Sequence, residues 1–221
     1  MTLPLAALRS VHPDLVLYFG VAALVALVFH EFAHAFVAAR FGDPTPRQMG
    51  RFTLSPKAHA DTFGTFVLPA ILLLIVFFAG PNVVFAYAKP MPLNPWHSRR
   101  GNRNTILIQA AGPLANLALA FAFGAVHNVV CGTGALGTFL LTGVEVNAIF
   151  AAIHIIPIPP LDAARAIVPF LSYRARDVFV SMEQYAPLFM LLVFFILNGF
   201  FFDIVGRIAG GIINLVGVGC G

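Results

Sequence analysis

The sequence predicts an all-α membrane domain that crosses the bilayer several times and carries a polar site. Apolar residues make up 59% of the 221-residue chain and charged residues 10%, whereas a soluble domain carries about 25% charged residues. The apolar residues gather in long runs, and about 20 such residues cross the hydrocarbon core as a helix. We therefore interpret residues 1–221 as a single membrane-embedded domain.

Polar stretches rich in Pro, Arg and His separate the apolar runs. The runs cover residues 15–39, 65–88, 105–131, 136–157 and 187–219. Each of the first four is long enough to cross about 30 Å of hydrocarbon. Gly199, Asp203 and Arg207 interrupt the last run, which forms either one long helix or two short ones. We therefore expect about five or six hydrophobic segments, one of them re-entrant or broken.

The first run contains His30-Glu31-Phe32-Ala33-His34. Residues four apart on a helix share a face, so the two imidazoles can hold one metal ion together. The intervening carboxylate is close enough to act as a base toward water at the metal. The alternative is a chance match on a buried soluble helix. Ionisable side chains within a bilayer are expensive and functional by default, so the pattern favours a metal-dependent hydrolase.

The stretch 50–56 follows the first run, alternates weakly and ends in a proline. It is predicted either as a short extended strand, forming a β-hairpin beside the metal helix, or as an ordinary surface loop.

The charge distribution argues against a nucleic-acid site, and the positions of the cysteines exclude a thiolate metal site. The net charge is +4, and the basic residues lie in loops between apolar runs, which suits membrane orientation better than nucleic-acid binding. Cys131 and Cys220 are far apart and lack a C-x-x-C partner, so they form no thiolate metal site. A disulfide between them remains open.

Two histidines are only part of a catalytic zinc site, which needs a third protein ligand and one open position. The candidate is Asp162, which follows three prolines at 157, 159 and 160. These prolines prevent an ordinary helix and hold the segment extended. From the residues alone, Asp162 is equally well explained as the N-cap of a helix that starts at Ala163.

Several motifs resemble those of the site-2 protease family, the intramembrane zinc metallopeptidases. Besides His30–His34, the segment from His154 to Ala163 resembles the second family motif, N-x-x-P-x-P-P-L-D-G, and residues 111–116 resemble a middle motif. Residues 54–61 and 88–95 are similar to the compact prokaryotic branch, which has no PDZ module. The chain departs from the family pattern at His154, where the family has asparagine, and at Ala163, where it has glycine.

The resemblance implies one Zn²⁺ per chain, bound by His30, His34 and Asp162, with Glu31 as the catalytic base. It implies that the substrate is a transmembrane helix of another membrane protein, which must unwind locally because a helix hides its carbonyl groups. An inactive site-2-protease-like adaptor and a metal transporter are the alternatives. The sequence does not indicate an oligomeric state.

Other polar residues in apolar runs have two interpretations each. His154, Asn116 and Asn147 are candidates for holding substrate or the oxyanion; for Asn147 an interhelical hydrogen bond is equally probable. Glu145 is expected at the membrane interface. His59 and Asp61 either cap the next helix or line the entrance of the site.

A topological constraint follows from the ligand set. His34 and Asp162 must reach one ion, so the segments that carry them must end at a similar depth in the membrane. If every apolar run crossed the bilayer once, the two residues would lie near opposite faces. We expect run 65–88, broken at Gly80-Pro81, to return to the side it left. The basic residues then share one face, which the positive-inside rule makes cytoplasmic in a prokaryotic plasma membrane. These residues are Arg40, Arg47, Arg51, Lys57, Lys89, Arg99, Arg100, Arg103, Arg165, Arg174 and Arg176.

Overall fold

The computed structural model describes residues 13–71, 88–89, 102–131, 133–183, 185–196 and 198–219, and none of these residues lies in a β-strand. In chain order the elements are α1 (Pro13–Arg40), α2 (Thr45–Gln48), α3 (Pro56–His59), a π-helical segment (Thr62–Val67), α4 (Asn102–Val130), α5 (Gly134–Ile155), α6 (Asp162–Ile167), a 3-10 turn (Val168–Phe170), α7 (Tyr173–Glu183), α8 (Ala186–Ile196) and α9 (Asn198–Val216). The all-α prediction is confirmed.

Four described helices are long and apolar enough to cross a membrane, in agreement with a polytopic membrane protein. These spans are Asp14–Arg40, Arg103–Val130, Gly134–Ile155 and Gly199–Val216. The last apolar run is helical over Ala186–Ile196 and Asn198–Val216, on both sides of residue 197, which lies outside the described residues. The choice between one long helix and two short ones stays a prediction. Glu145 lies midway along α5, and its interfacial position stays a prediction.

The long helices pack in alternating directions. Along α4, Ile108 contacts His34 and Asn116 contacts Ala26, so α4 runs antiparallel to α1. Asn147 of α5 bonds to Asn116, and α9 ends with Val216 close to Gly124. Alanine fills the contacts between helices: Ala22, Ala26, Ala120, Ala148, Ala151, Ala152 and Ala209 are at most 1% exposed. Small side chains let membrane helices approach closely enough for van der Waals packing and hydrogen bonds to hold them together.

The two ends of this bundle differ. The loop face is the end where α1 finishes and α4 begins, and it carries α2 and α3. The cysteine face is the opposite end, where α4 finishes at Val130, next to Cys131. There Asn128 donates from Nδ2 to Gly217 O at 2.9 Å and accepts from Gly219 N at 3.1 Å. Cys131 is disulfide-bonded, and Cys220 lies outside the described residues.

The chain between α3 and α4 returns to the loop face. Ala60 and Ala88 form an isolated antiparallel bridge, and Lys89 N donates to His59 O at 3.0 Å. The segment that separates these residues therefore begins and ends at one place, as the common depth of the metal ligands requires. The predicted break at Gly80-Pro81 lies outside the described residues.

The strand or β-hairpin predicted for residues 50–56 is wrong, and the surface-loop alternative is the one the structure contains. Arg51 N donates to Pro46 O at 2.7 Å, and Arg51 Nη1 donates to Ala58 O at 2.5 Å. His59 Nε2 lies 2.7 Å from Thr53 O. Local turns and side chains use these backbone groups, so they are not available for a ladder of strand hydrogen bonds.

Aromatic and basic side chains attach this loop to the end of α1. The Phe52 ring lies 5.5 Å from Phe32 and 6.3 Å from Phe36, measured between centroids. The Arg47 guanidinium lies 4.5 Å from the Phe52 centroid, and Arg40 lies 5.1 Å from Phe36. Cation–π contacts of this kind contribute about 0.5–1 kcal/mol at exposed sites, so the loop is held against the helix that carries the histidines.

The topology predicts which positions share a side of the membrane. In a chain whose two cysteines are replaced by serine, single cysteines at Ser55 and Ser172 should react with an impermeant maleimide from one side. A cysteine at Thr133, next to the cysteine face, should react only from the other. Labelling of Ser55 and Ser172 from opposite sides would contradict the return of the chain to the loop face.

Candidate metal centre

Three metal-ligating side chains from distant parts of the chain converge at one point. His30 Nε2 lies 3.0 Å from Asp162 Oδ2, and His34 Nε2 lies 3.2 Å from the same oxygen. The two Nε2 atoms are 3.1 Å apart. All three side chains are buried, and His30 is ten residues before the end of α1. That spacing places the group about 15 Å along the helix from the loop face.

Hydrogen bonds on the far side of each imidazole orient the two histidines. His30 Nδ1 donates to Asn116 Oδ1 at 2.7 Å, and His34 Nδ1 donates to the carbonyl of Ile108 at 2.6 Å. A histidine whose Nδ1 carries the proton presents an Nε2 lone pair. Both lone pairs therefore point toward Asp162, as metal ligation requires.

Asn116 is itself held by a buried network. Its Nδ2 donates to Ala26 O at 3.1 Å and to Asn147 Oδ1 at 3.0 Å, while Asn147 Nδ2 donates to Gly143 O at 2.8 Å. Both asparagines are fully buried. Their amide groups bond within the protein, and their role in holding substrate or the oxyanion stays a prediction. Asn147 makes the interhelical bond that was the alternative.

The donor set and its spacing fit a zinc ion. Two imidazoles, one carboxylate and one open position form a common catalytic set, and ligands about 2.0–2.2 Å from a tetrahedral zinc lie about 3.3–3.6 Å apart. The separations of 3.0–3.2 Å in this group are only slightly shorter. Three acceptor atoms this close repel one another unless a cation or protons lie among them. The group thus has the chemistry and nearly the dimensions of a zinc site.

Gly112 makes room for the two imidazoles. A Cβ atom added to Gly112 would lie 2.6 Å from both Cε1 and Nε2 of His30, and it would also collide with His34. Only glycine lets the backbone of α4 approach the metal helix this closely. The close packing of α4 at Gly112 is therefore against the histidine pair.

Glu31 differs from the other acidic group of the site. It is 9% exposed, and its Oε2 atom is buried without a hydrogen-bond partner among the described residues. Asp162 Oδ2, by contrast, contacts three imidazoles. A buried carboxylate oxygen without a protein partner is unusual, and it is free to exchange a proton with a bound water molecule.

His154 contacts the carboxylate of Asp162. Its Nδ1 lies 2.8 Å from Asp162 Oδ2, and its ring stacks on Phe150 with centroids 6.4 Å apart. His154 falls outside the group of convergent ligand atoms, which contains His30, His34 and Asp162.

Two further polar residues near the site have local roles. Asp61 caps the π-helical segment, since its Oδ1 accepts from Gly64 N at 2.8 Å. His59 is buried and bonds to the Thr53 carbonyl. For Asp61, capping is thus the correct one of the two interpretations.

The close approach at Gly112 is testable. Gly112→Ala should weaken zinc binding by about tenfold or more, because the added methyl group forces the His30 and His34 rings out of register. Competition with a zinc-chelating dye measures this change. Gly20→Ala on α1 is the matched control, since an added Cβ meets nothing within 4 Å there. Equal zinc affinity of the two variants would contradict the conclusion that Gly112 makes room for the imidazoles of the metal site.

Comparisons with known proteins agree with this geometry. The chain is 33% identical over 187 residues to a Bacillus subtilis protein named "Putative zinc metalloprotease YwhC", with 80% of each chain covered. It is 31% identical over 193 residues to "Putative zinc metalloprotease Rip2" of Mycobacterium tuberculosis, covering 82% of this chain and 69% of the relative. The Rip2 protein of Mycolicibacterium smegmatis is 29% identical over a similar extent.

No family model and no solved structure matches the chain. The curated relatives nevertheless cover about four fifths of it. Their names imply zinc, and the convergent His30, His34 and Asp162 side chains form a group that fits this ion. On this sequence similarity, the chain belongs to the site-2 protease family of zinc metalloproteases.

Proposed function

We propose that this protein is an intramembrane endopeptidase that hydrolyses peptide bonds in the transmembrane segments of other membrane proteins. The observation that carries the proposal is the placement of the buried group. His30, Glu31 and His34 lie on a helix long and apolar enough to span the bilayer, about 15 Å from its end. A peptide bond reaches this depth most directly when its own chain is in the membrane.

The roles of the residues follow from their contacts. His30, His34 and Asp162 hold the ion, oriented by Asn116 and the Ile108 carbonyl. Zinc, when bound, polarises the substrate carbonyl and makes a water molecule a better nucleophile. Glu31 accepts a proton from the attacking water and donates it to the leaving amide nitrogen as the C–N bond breaks. Its unpartnered oxygen suits this exchange.

The substrate must present an extended segment to the site. A transmembrane helix hides its carbonyl groups in internal hydrogen bonds, so it has to unwind before the bond is attacked. Helix-breaking residues near the cleavage point should therefore accelerate the reaction. Residues 50–54 do not offer a strand edge to the unwound segment, so pairing with that loop forms no part of the proposal.

We further propose that the loop face is cytoplasmic, in the plasma membrane of a prokaryote. Two separate observations support this orientation. Basic residues concentrate in the described loops and helix ends of the loop face, as the positive-inside rule requires of a cytoplasmic side. They include Arg40, Arg47, Arg51, Lys57, Lys89, Arg103, Arg165, Arg174 and Arg176. Cys131 is disulfide-bonded at the opposite end, and disulfides persist in oxidising compartments outside the cytoplasm.

Replacement of Glu31, the proposed base, distinguishes an active protease from an inactive adaptor. Glu31→Gln keeps the shape of the side chain but cannot accept a proton, so cleavage of a transmembrane reporter in liposomes should fall by about 100-fold or more. Zinc content should stay at the wild-type level. Glu145→Gln is the matched control, a carboxylate midway along α5. Cleavage by Glu31→Gln at the wild-type rate would contradict the mechanism.

Loss of a ligand should have a different effect. His34→Ala should remove both zinc and proteolysis, because two remaining ligands no longer define a catalytic site. Metal analysis by mass spectrometry, combined with the same reporter, checks the pair of outcomes. Full zinc occupancy in this variant would overturn the proposed ligand set.

His154 should support the ligand Asp162. Partners of a metal ligand typically contribute about 10–100-fold to metal affinity, so His154→Ala should weaken zinc binding within this range. His154→Asn should retain most of the affinity, since an asparagine amide can donate the same hydrogen bond to Asp162 Oδ2. Unchanged zinc affinity in His154→Ala would show that the 2.8 Å contact does not orient the ligand.

A further inference from the structure

One face of α9 is polar although the helix is apolar enough to cross the membrane. The inner face packs against the bundle through Phe201, Val205, Ala209 and Ile212, all buried. The outer face carries charged and polar residues in one row along the helix, because steps of three or four residues stay on one side. Its polar members are Asp203, Arg207 and Asn214, all exposed.

The charged residues of this face lie well inside the span. Arg207 Nη2 donates to Asp203 Oδ2 at 2.8 Å, and the two side chains are 81% and 63% exposed. Ionisable residues in membrane helices almost always face the interior of a bundle or a water-filled cavity. Here both face outward from the described part of the protomer. The physical expectation is that another polypeptide covers them in the bilayer.

Glycines on the same face permit close approach of a second helix. Gly206-Arg207-Ile208-Ala209-Gly210 has the G-x-x-x-G spacing of membrane-helix dimers. A Cβ added to Gly206 or Gly210 would meet nothing within 4 Å, and the same is true of Gly199 and Gly211. These positions therefore have no packing role among the described residues, which distinguishes them from Gly112.

We propose that this face, the Asp203–Arg207–Asn214 face, binds the same face of a second copy of the chain in a parallel two-fold dimer. Copies inserted in one orientation pack α9 against α9 in parallel, and a two-fold interface must be self-complementary. Asp203 and Arg207 are one turn apart on either side of Gly206. Two-fold symmetry can thus bring Asp203 of each copy close to Arg207 of the other and satisfy both charges.

A second copy fits this face better than a substrate helix. A substrate would need charges of its own in matching order, whereas a second copy supplies them by symmetry. The described members of the metal centre come from α1, α4, α5 and α6. The inner face of α9 and the alanines of α5 that it contacts lie between the outer face and that centre. A helix bound there is not presented to Glu31.

Dimerisation can be measured by energy transfer between donor- and acceptor-labelled full-length protein in liposomes, as lipid dilutes the protein. The wild type should show a reversible, concentration-dependent dimer. Asp203→Arg and Arg207→Asp should each weaken it by about tenfold or more, since like charges then face each other. The double exchange, Asp203→Arg with Arg207→Asp, should restore dimerisation because the order of charges is only reversed.

Two variants that add a bulky side chain at a glycine test dimerisation without changing any charge. Gly206→Leu should weaken the dimer, whereas Gly20→Leu, at another open glycine of a spanning helix, should not. Bound zinc reports that each variant is folded. A wild type that stays monomeric overturns the proposal, as does a double exchange no better than the single ones. Energy transfer that appears only with a labelled substrate helix would assign the face to substrate and overturn it as well. The outcome does not depend on proteolysis, so it is separate from the proposed function.

Discussion

The fold depends on one constraint: the imidazoles of His30 and His34 on α1 must present their Nε2 atoms to the carboxylate of Asp162, which follows His34 by 128 residues. The bond from His30 Nδ1 to Asn116 Oδ1 is central to meeting it. That bond sets the rotation of the ring, and it requires α4 to lie beside α1 at the level of the metal group. Hydrogen bonds to Ala26 of α1 and Asn147 of α5 fix the Asn116 amide. Three helices therefore set the direction of the lone pair on His30 Nε2.

This constraint explains features that otherwise look unrelated. Gly112 has no side chain because the imidazoles occupy that space. The chain between α3 and α4 returns to the loop face because α4 must begin where α1 ends. The Phe52 and Arg47 contacts hold the intervening loop against α1 close to the histidines. Small residues between the helices allow the buried asparagine amides to reach their partners, and in hydrocarbon an unpaired amide would be expensive.

The sequence predicted what local pattern and membrane physics determine. The histidine spacing predicted the convergent pair, and the common depth required of His34 and Asp162 predicted the return of the intervening chain. Asp162 was ambiguous because a ligand and a helix N-cap have the same local sequence, and only tertiary contacts separate them. The sequence could not assign the asparagines to one role, because an amide that orients a ligand and one that binds substrate look alike in sequence. Residues 50–56 formed a loop because turns and side chains satisfied their backbone groups.

The central claim is that His30, His34 and Asp162 form a three-ligand zinc centre with one open position, and that His154 touches the ligand and not the ion. X-ray absorption at the zinc edge of the wild-type protein tests it most directly. The account predicts a four-coordinate zinc with two imidazole ligands and oxygen in the remaining positions, at about 2.0–2.2 Å. A spectrum with three imidazoles, placing His154 on the ion, or with a single imidazole would contradict it.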